Sequence, residues 1–303
     1  MKDVLAIEPA RSSEYADAFR LVFQHVGGNE QAGRVAKALE LVRKKELDPE
    51  GIVVARTAGN LIGAVISMPT PGAGGLIWPP QVVPEGPGAP DIEDQLVRHA
   101  SAWLRRGGAK VAQAMLMPDE VQLAVPLVRN GFAHTTTLCY LRLNLHDATP
   151  TGADSLTFHP YPNERLLFQR TLLETYEGTD DCPELTGVRS IDEIIEGHRA
   201  QGSTGDERWW LARSSTGAVG VLLLARLVEC DGWDVAYVGV RPEARRQGFG
   251  RQLMRKAIAE AQRAGGAQLT LSVDKRNHPA WNLYASMGFT LFDEREVFLA
   301  VWK

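Results

Sequence analysis

At 303 residues the chain exceeds the usual size of one compact domain, and two domains of about 150 residues each are the starting expectation. Its 33 Lys and Arg against 37 Asp and Glu leave a net charge of -4, and 44% of its residues are hydrophobic, the profile of an ordinary soluble globular protein. That balance excludes a polyanion binder, so no nucleic acid is expected as a partner, and no apolar run approaches the ~20 residues needed to cross a bilayer, so no membrane is expected either.

Read from the N-terminus, Met1-Lys2-Asp3-Val4-Leu5-Ala6-Ile7-Glu8 breaks its apolar run too early for a secretory leader. The cysteines, Cys139, Cys182 and Cys230, are far apart and odd in number; they form neither a disulfide framework nor a zinc spacing, and they fit a reducing compartment. A cytoplasmic protein without a metal is therefore expected.

The chain then repeats itself. Ala55-Arg56 answers Ala212-Arg213, residues 96–100 answer 253–257, and Asn130-Gly131-Phe132 answers Met287-Gly288-Phe289, all at an offset of 157 (212 − 55 and 288 − 131). Matches at several places in one register indicate two copies of one fold. Between them, residues 146–155 are small, polar and proline-bearing, as linkers are. The domains are accordingly set at 1–148 and 149–303.

Each copy reads as helix, paired strands, strand, helix, strand, helix and terminal strands. In the second copy, 209–213 and 219–226 flank the turn Ser214-Ser215-Thr216-Gly217 as a hairpin, and 234–240 is a strand of β-branched and aromatic residues. Residues 251–263 form a helix with Leu253, Ala257, Ile258 and Ala261 on one face; Gly265-Gly266 stops it, and 269–273 is the next strand. Strand, helix and strand in succession make a parallel pair joined by a right-handed crossover.

Between the 234–240 strand and the following helix lies Arg245-Arg246-Gln247-Gly248-Phe249-Gly250, a turn rich in glycine and arginine. Free backbone N–H groups and the positive end of the helix converge there, an arrangement that holds a phosphate. Gly248 and Gly250 let the backbone approach the anion, and Arg245, Arg246 and Arg251 offset its charge. A glycine pair before a helix also suits a tight turn on steric grounds alone, and the spacing is neither a Walker loop nor a full dinucleotide fingerprint.

The turn resembles the Arg/Gln-x-x-Gly-x-Gly/Ala signature of the GNAT acetyltransferase superfamily, with Arg245, Gly248 and Gly250 on the signature positions. Downstream, Asn277-His278-Pro279-Ala280-Trp281-Asn282-Leu283-Tyr284, running on to Gly288-Phe289, is similar to the family's Asn-x-x-Ala-x-x-Leu-Tyr-x-x-x-Gly-Phe segment. The resemblance covers residues 156–303. It implies an α/β fold of two tandem GNAT-like domains, each a mixed, mostly antiparallel twisted sheet with a parallel central pair flanked by helices, and acetyl-coenzyme A (acetyl-CoA) as co-substrate. By the same resemblance the amides of Arg246, Gln247, Gly248, Phe249, Gly250 and Arg251 hold the coenzyme pyrophosphate. Asn277 belongs to the same site, and the pantetheine arm lies along Val238, Gly239 and Val240 as a further strand would.

Transfer of an acyl group from a thioester to an amine requires a neutral amine, a stabilised oxyanion and a proton for the departing thiolate. The resemblance places Tyr284 beside the sulfur as general acid, and a phenol with a reference pKa of about 10 is protonated at neutral pH. Tyr284 also fits a core position, since Leu283, Tyr284 and Met287 share a helical turn. Asp234 falls where some family members carry the carboxylate that deprotonates the amine; Glu229 is its rival, and a plain strand-end aspartate is the alternative. A backbone N–H near Val240 would polarise the carbonyl. The acceptor is expected along 174–185, whose carboxylates and tyrosine suit a cationic amine by charge and read equally well as a solvated acidic loop. Cys182 and His198 read more simply as structural than as reactive groups, and Trp209-Trp210 as core on one side and cleft lining on the other.

At the offset of 157, Gly248-Phe249-Gly250-Arg251 answers Asp91-Ile92-Glu93-Asp94, Gln247 answers Pro90, and Tyr284 answers Leu127. Acids repel a pyrophosphate and proline offers no N–H, so the first copy reads as degenerate and the second as the catalytic one. The expected activity is acetyl transfer to a small-molecule or protein amine by direct attack in a ternary complex. A non-catalytic acyl-CoA sensor and transfer of a longer acyl group are the alternatives.

Overall fold

The computed structural model describes residues 5–84, 86, 88–148, 151–152, 155–227 and 232–302. The first half contains β1 (Ala6–Pro9), α1 (Tyr15–Val22), α2 (Gly28–Arg43), β2 (Ile52–Thr57), β3 (Asn60–Thr70), β4 (Gly74–Val82), α3 (Ala89–Arg106), β5 (Val111–Leu116), the short α4 (Val125–Arg129) and β6 (Ala133–Asn144). The second half repeats the order with β7 (Thr157–Pro160), α5 (Arg165–Thr175), α6 (Ile191–Arg199), β8 (Trp209–Ser214), β9 (Gly217–Leu227), β10 (Gly232–Val240), α7 (Phe249–Arg263), β11 (Gln268–Asp274), α8 (His278–Ala285) and β12 (Thr290–Val301). The offset of the sequence carries over to the backbone: β2, β3 and β6, displaced by 157, coincide at both ends with β8, β9 and β12.

Contacts divide the chain into two compact units, Met1–Thr135 together with Glu296–Lys303, and Thr136–Arg295. In the first unit the sheet runs β1-β2-β3-β4-β5 and ends on residues 296–301 of β12; β4 and β5 are parallel and every other pair is antiparallel. In the second unit the order is β7-β8-β9-β10-β11, ending on residues 138–144 of β6, with β10 and β11 as the parallel pair. The last strand of each sequence copy therefore completes the sheet of the other unit. The exchange is in register: Val111 pairs with Val301, and Gln268, the residue 157 further on, pairs with Asn144, the residue 157 before Val301.

The cores follow the same partition. Phe298 and Ala300 are buried with Leu96, Ala100 and Ala112, whereas Cys139, Leu141 and Leu143 are buried with Leu253, Leu271 and Phe289. The compact units are thus not identical with the stretches 1–148 and 149–303, because strand pairing and apolar burial, not linker composition, decide where residues 136–148 and 296–303 pack. The linker itself is tied to α7: the Gln262 side-chain amide donates to the carbonyls of Leu145 and Ala148, both at 2.8 Å, and Gln252 Oε1 accepts from the Ser155 N–H at 2.8 Å.

In the second unit the sheet is covered on both faces. On one, α7 buries Leu253, Met254, Ala257, Ile258 and Ala261 against Leu222, Leu224, Trp233 and Val235. Each such aliphatic side chain contributes roughly 1.5–3 kcal/mol when fully buried. On the other, Phe168 and Leu172 of α5 and Ile195 of α6 pack on Trp209, Leu211, Val221 and Leu223. Among the described residues no helix is long and apolar enough to cross a membrane.

Candidate active site

β10 pairs with β9 along its whole length, from Gly232 opposite Leu227 to Val240 opposite Gly220, with a bulge between Val235 and Tyr237. With β11 it pairs only at 232–234. Beyond Asp234 the parallel strands part, and among the described residues the edge of β10 from Tyr237 to Val240 has no strand partner on that side. An unpaired edge is a template for an extended ligand. A cleft of about 420 Å³ opens there, walled by Tyr237 to Val240, by the turn into α7, by Asn277 and Tyr284, and by the segment after α5. Glycine is required at 239, where a Cβ would stand 2.6 Å from Thr175 Oγ1.

At the turn, Arg246 has a φ of 65° and Gly248, the N-cap of α7, a φ of 81°. Glycine adopts the second of these without steric cost. No side chain caps α7, so the first-turn N–H groups are left for a ligand. The arginines diverge. Arg245 turns inward: its Nε donates to the Val240 carbonyl at 3.1 Å, and its terminal nitrogens donate to the carbonyls of Gly178 (2.8 Å), Thr175 (3.1 Å) and Glu177 (2.6 Å). It is a bracket between the C-terminal end of α5 and the turn. Arg251 is exposed and donates to Ser286 Oγ at 2.6 Å, while Arg246 is exposed with no hydrogen bond or ion pair among the described residues. Gln247 bonds back to the Glu243 carbonyl, and Asn277 caps α8 by accepting the Ala280 N–H at 3.2 Å.

Tyr284 lines the cleft from α8. Burial, with the nearby negative charge of Asp181, raises its phenol above the ordinary tyrosine range, and its hydroxyl has no hydrogen-bond partner among the described residues. Asp234 is placed elsewhere. It stands where β10 and β11 still pair, three residues before Tyr237 and so about 10 Å back along the strand, and it is not a lining residue of the cleft. Its carboxylate accepts from Thr270 Oγ1 at 2.6 Å, and burial raises its pKa. Glu229 lies outside the described residues.

The carboxylates that do line the cleft are Asp180, which is exposed, and Asp181, which is half-buried, in the segment after α5. Asp181 accepts the Asp274 N–H at 3.2 Å, and burial pushes its carboxyl up to about 6. Nothing in its spacing distinguishes it from the neighbouring acids of 174–185; only the fold does. Asp274 beside it behaves oppositely. Although burial works against ionisation, hydrogen bonds from Arg276 and from the Thr136 hydroxyl hold its carboxyl down to about 2. Arg276 also grips Glu184 with two bonds, at 2.7 and 3.0 Å, which fastens the segment to the end of β11. The side chains of Asp181, Cys182 and Asp274 come within 4.8 Å of one another, but Asp274 is already committed and burial pushes the Cys182 thiol up to about 12. A metal ion needs the opposite, a free carboxylate and a thiolate.

Of the remaining sequence candidates, His198 is sunk between Tyr237 and Trp209, its Nε2 3.3 Å from the Tyr176 hydroxyl, and burial pulls it down to about 4, so it is neutral at pH 7. Trp209 and Trp210 are both buried, on opposite faces of the sheet, and neither lines the cleft. The expected acceptor segment does: Thr175, Tyr176, Gly178, Thr179, Asp180 and Asp181 form one wall. A wider cavity of about 950 Å³ lies beside α7 and the turn after α8, walled by Arg142, His146, Arg251 and Arg255 among others; it shares Arg251 with the cleft and contains neither Tyr284 nor Asp181.

The first copy shows what replaced the turn. α3 starts at Ala89, three residues before the position that α7 implies (249 − 157 = 92), and its cap, Gly88, has an ordinary φ of −87°. Glu93 and Asp94 ion-pair with Arg129 at 2.8 and 2.9 Å. Asp94 and Arg129 occupy the positions of Arg251 and Ser286, displaced by 157 (251 − 94 and 286 − 129), so a link between the same two places persists with the arginine on the other side. Acids that would repel a phosphate bind α3 to α4 instead.

Residues 173–289, which contain the cleft, match the model of the Acetyltransferase (GNAT) family. Among solved structures, a GCN5-related N-acetyltransferase from Sphaerobacter thermophilus is 18% identical with a TM-score of 0.62, over 98% of this chain and 95% of that one. A GCN5-related glucosamine N-acetyltransferase region of a fungal multi-domain GH3 β-N-acetylglucosaminidase is 15% identical with a TM-score of 0.61, over 99% of this chain and 38% of that one. At such identities the likeness is one of fold. No curated protein matches the chain.

Proposed function

Because residues 173–289 form a domain of the acetyltransferase (GNAT) family, we propose that the protein transfers the acetyl group of acetyl-CoA to an amine by direct attack in a ternary complex. One observation carries this reading: a single cleft combines an unpaired strand edge at 237–240, an uncapped helix N-terminus at Gly248 and the unpartnered phenol of Tyr284. The pyrophosphate fits the amides of 246–251, with Arg246 and Arg251 offsetting its charge. Arg142 and Arg255 of the wider cavity give the nucleotide end a basic wall. The pantetheine arm pairs along Val238, Gly239 and Val240, which brings the thioester towards Tyr284.

The acceptor enters past the 175–181 wall, where Asp180 and Asp181 favour a cationic amine. The amine nitrogen attacks the carbonyl carbon, backbone N–H near Val240 steadies the oxyanion, and Tyr284, kept neutral by burial, gives its proton to the departing sulfur. Asp234 stands away from the cleft, so it has no direct reach to the amine. Calorimetric titration with acetyl-CoA and release of free thiol across an amine panel test the reading. Saturable binding, its loss in Gly248→Asp, and thiol release with a suitable amine are expected. Full binding by Gly248→Asp overturns the assigned turn, and unchanged thiol release by Tyr284→Phe removes the proton donor.

A further inference from the structure

Acyl transfer to a cationic amine needs a proton acceptor inside the cleft as well as a donor. Among the described lining residues the carboxylates are Asp180 and Asp181. Asp180 is exposed, and so belongs to the rim. Asp181 is half-buried and fixed from both sides: its own N–H donates to Thr179 Oγ1 at 3.0 Å, and its Oδ1 accepts the Asp274 N–H at 3.2 Å. Its Oδ2 has no hydrogen-bond partner, and it has no ion-pair partner, among the described residues. The neighbouring cation, Arg276, is held by Asp274 and Glu184.

We propose that Asp181 is the general base of the reaction, taking a proton from the acceptor's ammonium group directly or through one water. The assignment rests on the reading of the cleft as an amine acetyltransferase site. The ammonium gives one proton to the Asp181 carboxylate, which passes it to solvent. The neutral nitrogen then bonds to the thioester carbon, the C–S bond breaks, and the sulfur takes the Tyr284 proton. The tyrosinate recovers a proton from the nitrogen of the intermediate. The sum is ammonium plus acetyl-CoA giving amide, free coenzyme thiol and one proton.

The groups facing Asp181 agree with that role. Tyr176 just after α5, Tyr237 from β10 and Tyr284 from α8 are all raised by burial and stay neutral, as does the Cys182 thiol. Asp274 adds a negative charge and Arg276 a compensated positive one. A carboxyl raised to about 6 is ionised at pH 7, yet is a stronger base than an ordinary aspartate.

Thiol-release kinetics between pH 5 and 9 test the proposal, run beside calorimetric acetyl-CoA affinity for wild type, Asp181→Asn, Asp181→Glu and Asp234→Asn. Expected for Asp181→Asn is a fall in kcat/KM for the amine of about 10²-fold or more with acetyl-CoA affinity unchanged. The acidic limb near pH 6 should vanish in that variant, shift in Asp181→Glu, persist in Asp234→Asn, and stay in place when the acceptor amine's own pKa is varied. Near-normal turnover by Asp181→Asn with the limb intact overturns the base alone. A limb unmoved in Asp181→Glu does the same should Asp181→Asn not fold. A wild type that binds acetyl-CoA but releases no thiol with any amine overturns the acetyltransferase reading, and the base with it.

Discussion

Asp181 is a half-buried carboxylate without an ion-pair partner among the described residues, and that carries a cost in stability with a definite sign. Its folded pKa is raised to about 6 from an unfolded value near 3.9, so folding is weakened as pH rises between the two values and stays weakened above them. Replacing it by Asn removes the penalty. Asp181→Asn is expected to be more stable than the parent at pH 7.5 by roughly 1–2 kcal/mol in urea unfolding, with the gain fading below about pH 4, where both states hold the proton. A variant less stable at pH 7.5 contradicts the uncompensated burial. Tyr284 and the glycines of the turn were legible in the sequence because fixed spacings mark them. Asp181 was not, since it becomes special only where the Asp274 N–H and three tyrosines close around it.

The same limit applies to elements. The helix expected at 251–263 is observed at Phe249–Arg263, starting earlier because Gly248 takes a left-handed φ as its cap, and the strand expected at 269–273 is Gln268–Asp274. What the sequence does not encode locally is how far β10 and β11 stay paired, and the cleft exists because they part after Asp234. By sequence Arg245 is a counter-charge for phosphate, as its position in the signature implies. Its guanidinium instead satisfies carbonyls at the end of α5, where helices leave their acceptors unpaired and slightly negative. The bracket makes a prediction that a phosphate contact does not. Arg245→Gln is expected to lose about 2–4 kcal/mol in urea unfolding and to weaken acetyl-CoA only through the loosened 175–178 segment. Unchanged stability with a large loss of affinity would reassign Arg245 to the phosphate.

For the whole chain, the question is why two terminal strands trade places. β6 and β12 share bounds under the 157-residue displacement, and their inward residues correspond as well: Leu141 to Phe298 and Leu143 to Ala300. Strands with one pattern of alternation satisfy either sheet, so local sequence cannot choose between them and the repeat alone implied two self-contained halves. The observed pairing has a consequence for fragments. Residues 149–303 lack the strand at 138–144 and leave the 268–274 edge of β11 open, an exposed template for aggregation, whereas 136–295 carries every strand of its compact unit. The fragment 136–295 is expected to unfold cooperatively, and 149–303 to show weak amide protection at 268–274. Ending the full chain at Arg295 removes the partner of β5 and leaves that of β11, so hydrogen exchange should accelerate at 111–116 while 268–274 remains protected. Loss of protection at 268–274 with 111–116 still protected in the shortened chain would mean that the two terminal strands pair within their own copies in solution.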